Sequence, residues 1–300
     1  MNTKKLVQGA MIVALFGVMG ILNVMTGTFF DSLIGYVMVI PLTWYGYQYG
    51  LKNNMIVSFA SAAITLMQGM PYFFTIVVYS CILGCFIGEA LKEESAKTKI
   101  ILGSFIISII YNILLFELLG VLLGISWNQD ITELLKLKSL LVNIPYAGMI
   151  YRSIDLLSFF VVFISFFESY LILLMIQFIF TRLKIPFHKN YHISTFYLDK
   201  KIGYITIGIF IIFFILEHYF NYRIIHYILS LSIFILMING ISLISLYFIY
   251  ISKPHLNSTG FVLMAVPVIN IGLIGLGIID IISDLRRKIM YNKYRGTSYD

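Results

Sequence analysis

Runs of about twenty apolar residues follow one another from Leu6 to Ile282, and the longest hydrophilic stretch between them, Arg182 to Lys201, is only 20 residues long. A hydrocarbon core of roughly 30 Å is crossed by about 20 helical residues. In lipid only helices or closed barrels satisfy every backbone N–H and C=O. A barrel strand alternates apolar and polar residues, and a segment such as Phe159 to Phe180 does not. The chain is therefore expected to be all-α, a polytopic bundle of transmembrane helices in the cell membrane.

Composition excludes several function classes. Hydrophobic residues make up 60% of the chain and charged residues 12%, about half the charged share of an ordinary soluble domain. That leaves no room for a separate ATPase or kinase domain. Neither a Gly-x-x-x-x-Gly-Lys-Ser/Thr run nor a Gly-x-Gly-x-x-Gly turn is present. No cofactor is expected, and energy for moving a solute would come from an ion gradient or another subunit. The net charge of +7 points to the bilayer as partner rather than nucleic acid, because most Lys and Arg lie in short loops beside apolar runs, where they set topology and meet anionic headgroups. Cys81 and Cys85 fall one helical turn apart inside an apolar run and read as small core residues. The basic start resembles a signal peptide, but the apolar run continues to Met25 without a small-x-small cleavage site, so it is read as the first span.

Apolar runs and breakers give nine candidate segments, at about 6–28, 33–49, 55–69, 71–90, 100–124, 157–181, 203–220, 224–251 and 260–282. Gln68, Gly69 and Pro71 predict a tight turn between the third and fourth. With the N-terminus inside, inner loops carry twelve Lys and Arg against four outside, a positive-inside bias. The basic tail after Asp284 then fits only an even number of crossings. Pro267, Asn270, Gly272, Gly275 and Gly277 make the last segment the candidate for a broken or re-entrant one, which gives eight full spans plus that segment. Between spans five and six, Ile131, Leu134, Leu137, Leu141 and Ile144 share one helical stripe, the pattern of an interfacial helix near 131–144.

Small residues mark helix faces that allow close approach. Ala10 and Ala14 lie on the first span and Gly84 and Gly88 on the fourth, candidates for docking a partner subunit or for packing within the chain. The stretch from Lys4 to Leu15 containing that alanine pair, the paired short spans up to Glu89, and the closing stretches Gly275 to Asp280 and Asp284 to Lys288 resemble the YybS-like family of uncharacterised bacterial membrane proteins. The first six spans also resemble the substrate-binding S components of energy-coupling-factor transporters for vitamins and metals. That resemblance implies an S-component-like core over 1–182, partners in the form of a coupling protein and ATPases, and a coupling-subunit contact at Ala10 and Ala14. A cytosolic loop at 183–202, additional helices at 203–285 and a basic cytosolic tail at 286–300 complete the organisation.

An ionisable residue inside an apolar run is costly and by default functional. Glu117 and Glu168 stand out, able to line one cavity with Asn112 and Gln177 deeper, or else tied to neighbouring helices. Enzyme signatures are missing. His188 and His192 lack the carboxylate of a His-Glu-x-x-His zinc site, Glu93-Glu94 sits at a span end, and Glu217-His218 with His226 borders an interface. No metal site and no catalytic residue is expected. The reading is a small-solute-binding transport component working with partner subunits; a structural or regulatory membrane partner and a proton-coupled secondary transporter are the alternatives.

Overall fold

The computed structural model describes residues 3–120, 136, 139, 156–185, 196–220, 222–251 and 267–287. Its helices are α1 (Thr3–Met25), α2 (Asp31–Tyr49), α3 (Leu51–Met67), α4 (Pro71–Lys92), α5 (Lys97–Leu114) continued by a π-helical turn (Leu115–Leu119), α6 (Leu156–Arg182), α7 (Lys200–Tyr219), α8 (Arg223–Tyr250) and α9 (Pro267–Ser283). Each of the nine apolar segments coincides with a helix. Two glycines in left-handed backbone set the sharpest breaks: Gly50 at φ 82° between α2 and α3, and Gly69 at φ 72° before Pro71 in the first turn of α4.

The count of eight full spans is not reproduced. Among the described residues, six helices are long and apolar enough to cross a membrane: α1, α4, α5 with its π turn, α6, α7 and α8. The 17-residue α3 and α9 are shorter, and α2 carries Asp31, Thr43, Pro41 and three tyrosines after Tyr36. The more polar α2 is tolerated because protein, not lipid, surrounds much of it: Asp31, Gly35, Thr43, Tyr45 and Gly46 are among its buried residues. The expected interfacial helix at 131–144 lies outside the described residues except Lys136 and Ser139, which are helical and exposed.

The chain divides into two compact units. The first comprises residues 1–126 and 164–191, hence α1 to α5 and most of α6. Its core joins Ile12 and Phe16 of α1, Met38, Leu42 and Tyr45 of α2, Val57 of α3, and Phe73, Val77 and Cys81 of α4. The α2–α4 contact is a seam without side-chain bulk. A Cβ on Gly88 would sit 2.9 Å from the Thr43 carbonyl and 3.0 Å from the Gly46 Cα, and one on Gly84 2.7 Å from the Leu42 Cβ. One stripe of α4, Ser80, Gly84 and Gly88, thus faces α2, and Ser80 Oγ donates to the Gly35 carbonyl at 2.8 Å.

The second unit comprises residues 127–163 and 192–300 and is built around α8, which is buried along most of its length. Helices α8 and α9 touch backbone to backbone: a Cβ on Gly240 would sit 2.1 Å from the Leu273 carbonyl oxygen, and one on Gly277 2.1 Å from that of Leu236. Beside this crossing lies a buried polar cluster. Arg286 Nε donates to Asp280 Oδ2 at 2.8 Å, its Nη2 to the Asn239 carbonyl at 3.1 Å and its Nη1 to the Phe196 carbonyl. Asn239 Nδ2 also donates to Asp280, at 3.2 Å. Arg286 is 4% exposed. This corrects the expected start of the basic tail: Arg286 belongs to the folded unit, because Asp280 six residues earlier neutralises it and two carbonyls take its remaining donors. The tail from 288 onward lies outside the described residues.

Candidate functional site

Glu168 lies at the middle of α6, in a run where water does not reach a short side chain, so its carboxyl has to find donors on other helices. It finds two. Tyr36 Oη, from the second turn of α2, donates to Oε1 at 2.6 Å, and Asn112 Nδ2, near the end of α5, donates to Oε2 at 2.7 Å. The same amide nitrogen donates to Ser165 Oγ at 3.1 Å. Because Ser165 and Glu168 are three residues apart on α6, they share a face, and one Asn side chain grips both. Asn112 and Ser165 are fully buried, at 2% and 0% exposure.

Local packing explains how these groups reach one another. Gly35, beside Tyr36, is packed so closely on α4 that a Cβ there would lie 2.1 Å from Ile76, which brings the start of α2 against α4. On α5, Ser104, Ser108 and Asn112 recur every fourth residue and form one buried polar stripe. Tyr79 of α4 meets Ser108 Oγ at 2.7 Å and stacks on Tyr111, with ring centroids 4.4 Å apart. Both rings lie within electrostatic range of Glu168. Tyr72, at the start of α4, adds a third phenol within electrostatic range of Glu168. The result is a carboxyl surrounded by phenols, an arrangement able to exchange a proton or to present a negative charge framed by aromatic faces.

Of the residues singled out from sequence, Glu168 and Asn112 are brought together by direct contact. Glu117 sits in the π turn that follows Asn112 on α5. Such turns recur at functional sites because they carry one extra residue in the helix. Gln177 is also apart: nine residues along α6 from Glu168, it lies on the opposite face and about 13 Å away. Sequence reading missed Tyr36, whose only signal was a phenol in a polar, glycine-containing helix start.

The small-residue candidates separate. Ala10 and Ala14 are exposed, on the face of α1 that also exposes Met11, Val18 and Leu22. Gly84 and Gly88 face α2 within the same unit, and their role there is packing of the chain itself. Glu93 and Glu94 are exposed at the α4–α5 turn and His218 is exposed at the end of α7. His188 and His192 lie outside the described residues. Among the described residues no group of three or more His, Cys, Asp and Glu side chains could hold a metal ion.

No curated protein and no solved structure matches the chain. A family model described as predicted membrane protein (DUF2232) matches residues 11–141, a stretch that includes Ala14, Tyr36, Gly84, Gly88 and Asn112. Over those residues the chain is similar to a family of membrane proteins, in keeping with its six apolar helices.

Proposed function

We propose that this multi-pass membrane protein is a non-enzymatic component that binds a small solute at Glu168 and acts with partner subunits, one of which docks on the Ala10/Ala14 face of α1. The observation that carries the solute reading is the Glu168 carboxyl held between Tyr36 and Asn112 from two other helices, inside a wall of further tyrosines. An ionisable group kept at such depth is rarely retained for packing alone. The open apolar face of α1 supports the docking half, since small residues there permit close helix approach and, among the described residues, Ala10 and Ala14 are exposed. An S-component-like role for α1 to α6 is the specific form of this proposal.

A second reading has its own support: both carboxyl oxygens already have donors, which also suits a tie between helices in a structural or regulatory partner protein. Glu168→Gln separates the two. The amide keeps shape and hydrogen bonding, so a tie survives it, whereas a solute or proton site loses binding or its pH dependence. Unchanged function with Gln, together with lost thermal stability in Glu168→Leu, would overturn the solute site. Co-purification in mild detergent tests the partner half, an ATPase pair with a coupling subunit being the expected company.

A further inference from the structure

A trough of about 860 Å³ runs along the first unit between α3, α4 and α5. On α4 its lining recurs along one stripe from Phe74 through Val78, Ile82 and Phe86 to Glu93, a length of about 28 Å at 1.5 Å per residue. Helix α3 adds Phe59 and Ala62 to the wall. Over most of its length the trough is apolar. The charges stand at one end only: Glu89, Glu93 and Lys99, with Ser95 between the last two in sequence. That end is the α4–α5 turn, where the chain leaves the apolar runs. Glu89 is held in place there because its Oε2 accepts the Leu51 N–H, at the first residue of α3, at 2.8 Å.

We propose that this trough holds an acyl chain of phosphatidylethanolamine, with the headgroup read by Lys99, Glu89 and Glu93. The proposal is independent of the Glu168 site. A long apolar trough with charges at one end only matches an amphiphile of the bilayer rather than a soluble ligand, and both signs of charge at that end select the headgroup. Lys99 is the cation for a phosphate. The two carboxylates meet a primary ammonium, which offers three N–H donors for charge-assisted hydrogen bonds. Phosphatidylcholine presents no N–H to them. Phosphatidylglycerol brings only negative charge towards two carboxylates, and like charges disfavour it.

The test uses the full-length protein, delipidated in detergent, with palmitoyl-oleoyl phosphatidylethanolamine, phosphatidylglycerol and phosphatidylcholine supplied in equal amounts and retention read by native mass spectrometry. Phosphatidylethanolamine is expected to be retained over each competitor by about tenfold, the worth of one charge-assisted hydrogen bond. Glu93→Gln should narrow its lead over phosphatidylcholine, Lys99→Glu should lower its retention, and Ala62→Trp, which fills the trough away from the charges, should lower retention of all three. Equal retention of the three lipids, or phosphatidylglycerol first, on the unaltered chain would overturn the proposal, and that ranking does not depend on any variant folding. Effective competition by glycerophosphoethanolamine, which has no acyl chain, would overturn it too, since the headgroup would then bind without the trough.

Discussion

Lys200, at the start of α7, and Asp284, just past the end of α9, meet at 3.0 Å. The start of α7 and the end of α9 therefore lie at one end of the second unit, opposite the α7–α8 turn. With Lys200 on the inner side by the positive-inside bias, the tail is expected to be cytoplasmic. Single cysteines at Asp199 and Ser298, in a background lacking Cys81 and Cys85, should behave alike and resist an impermeant thiol reagent in intact cells until the membrane is opened. Labelling of the Ser298 position alone would place an odd number of crossings between them.

Arg286 and Asp280 form a buried pair, 4% and 3% exposed at the side chain. Removing one partner leaves the other charge buried and uncompensated, so Arg286→Met should destabilise the protein by about 3–5 kcal/mol. The double change Arg286→Met with Asp280→Leu should recover much of that loss, because neither charge remains. Thermal unfolding in detergent of the single and double variants checks this, and a double variant worse than the single would contradict it.

Small residues on α1 and α4 should respond in opposite ways to bulk. Gly88→Leu drives a side chain into the Thr43 carbonyl and the Gly46 backbone, and is expected to abolish a monodisperse elution profile. Ala10→Leu with Ala14→Leu adds methyl groups to an exposed face and should leave insertion and elution unchanged while losing a partner subunit. Fluorescence-detected size-exclusion reads the first outcome, and co-purification the second.

Asn112→Leu should cost more than an ordinary side-chain truncation. It leaves Glu168 Oε2 and Ser165 without their shared donor, a loss of about 1–3 kcal/mol for an unsatisfied buried group. Tyr36→Phe removes the other donor. Because both act on one carboxyl, the double variant should depart from additivity, which melting temperatures of the four proteins will measure.

Much of the architecture was legible because helix limits are local matters. An apolar run, a Gly free to take positive φ and a Pro at the first turn define α3 and α4 without knowledge of any neighbour. The site was legible only in half. The cost of a carboxyl at mid-span singles out Glu168, but its donors are fixed by the crossing of α2, α5 and α6, which no single run encodes. Arg286 shows the opposite error: charge counting treats every Arg near a span end as solvated, whereas Asp280, an acid inside the apolar run before it, was a sign that a cation would fold back. The number of spans is not settled by run length, which does not distinguish a helix bathed in lipid from one such as α2, enclosed by protein; among the described residues six helices are long and apolar enough to cross.

The π turn at Leu115–Leu119 has a consequence for how this sequence tolerates length change. In an ordinary helix, losing one residue rotates everything beyond it by about 100° and moves every buried face to the wrong side. A π turn is a helix holding one residue in surplus, so a single deletion there lets the turn close into α geometry while Asn112, which precedes it, keeps its grip on Glu168. Among the described helices this is the place where the chain can shed a residue without losing register.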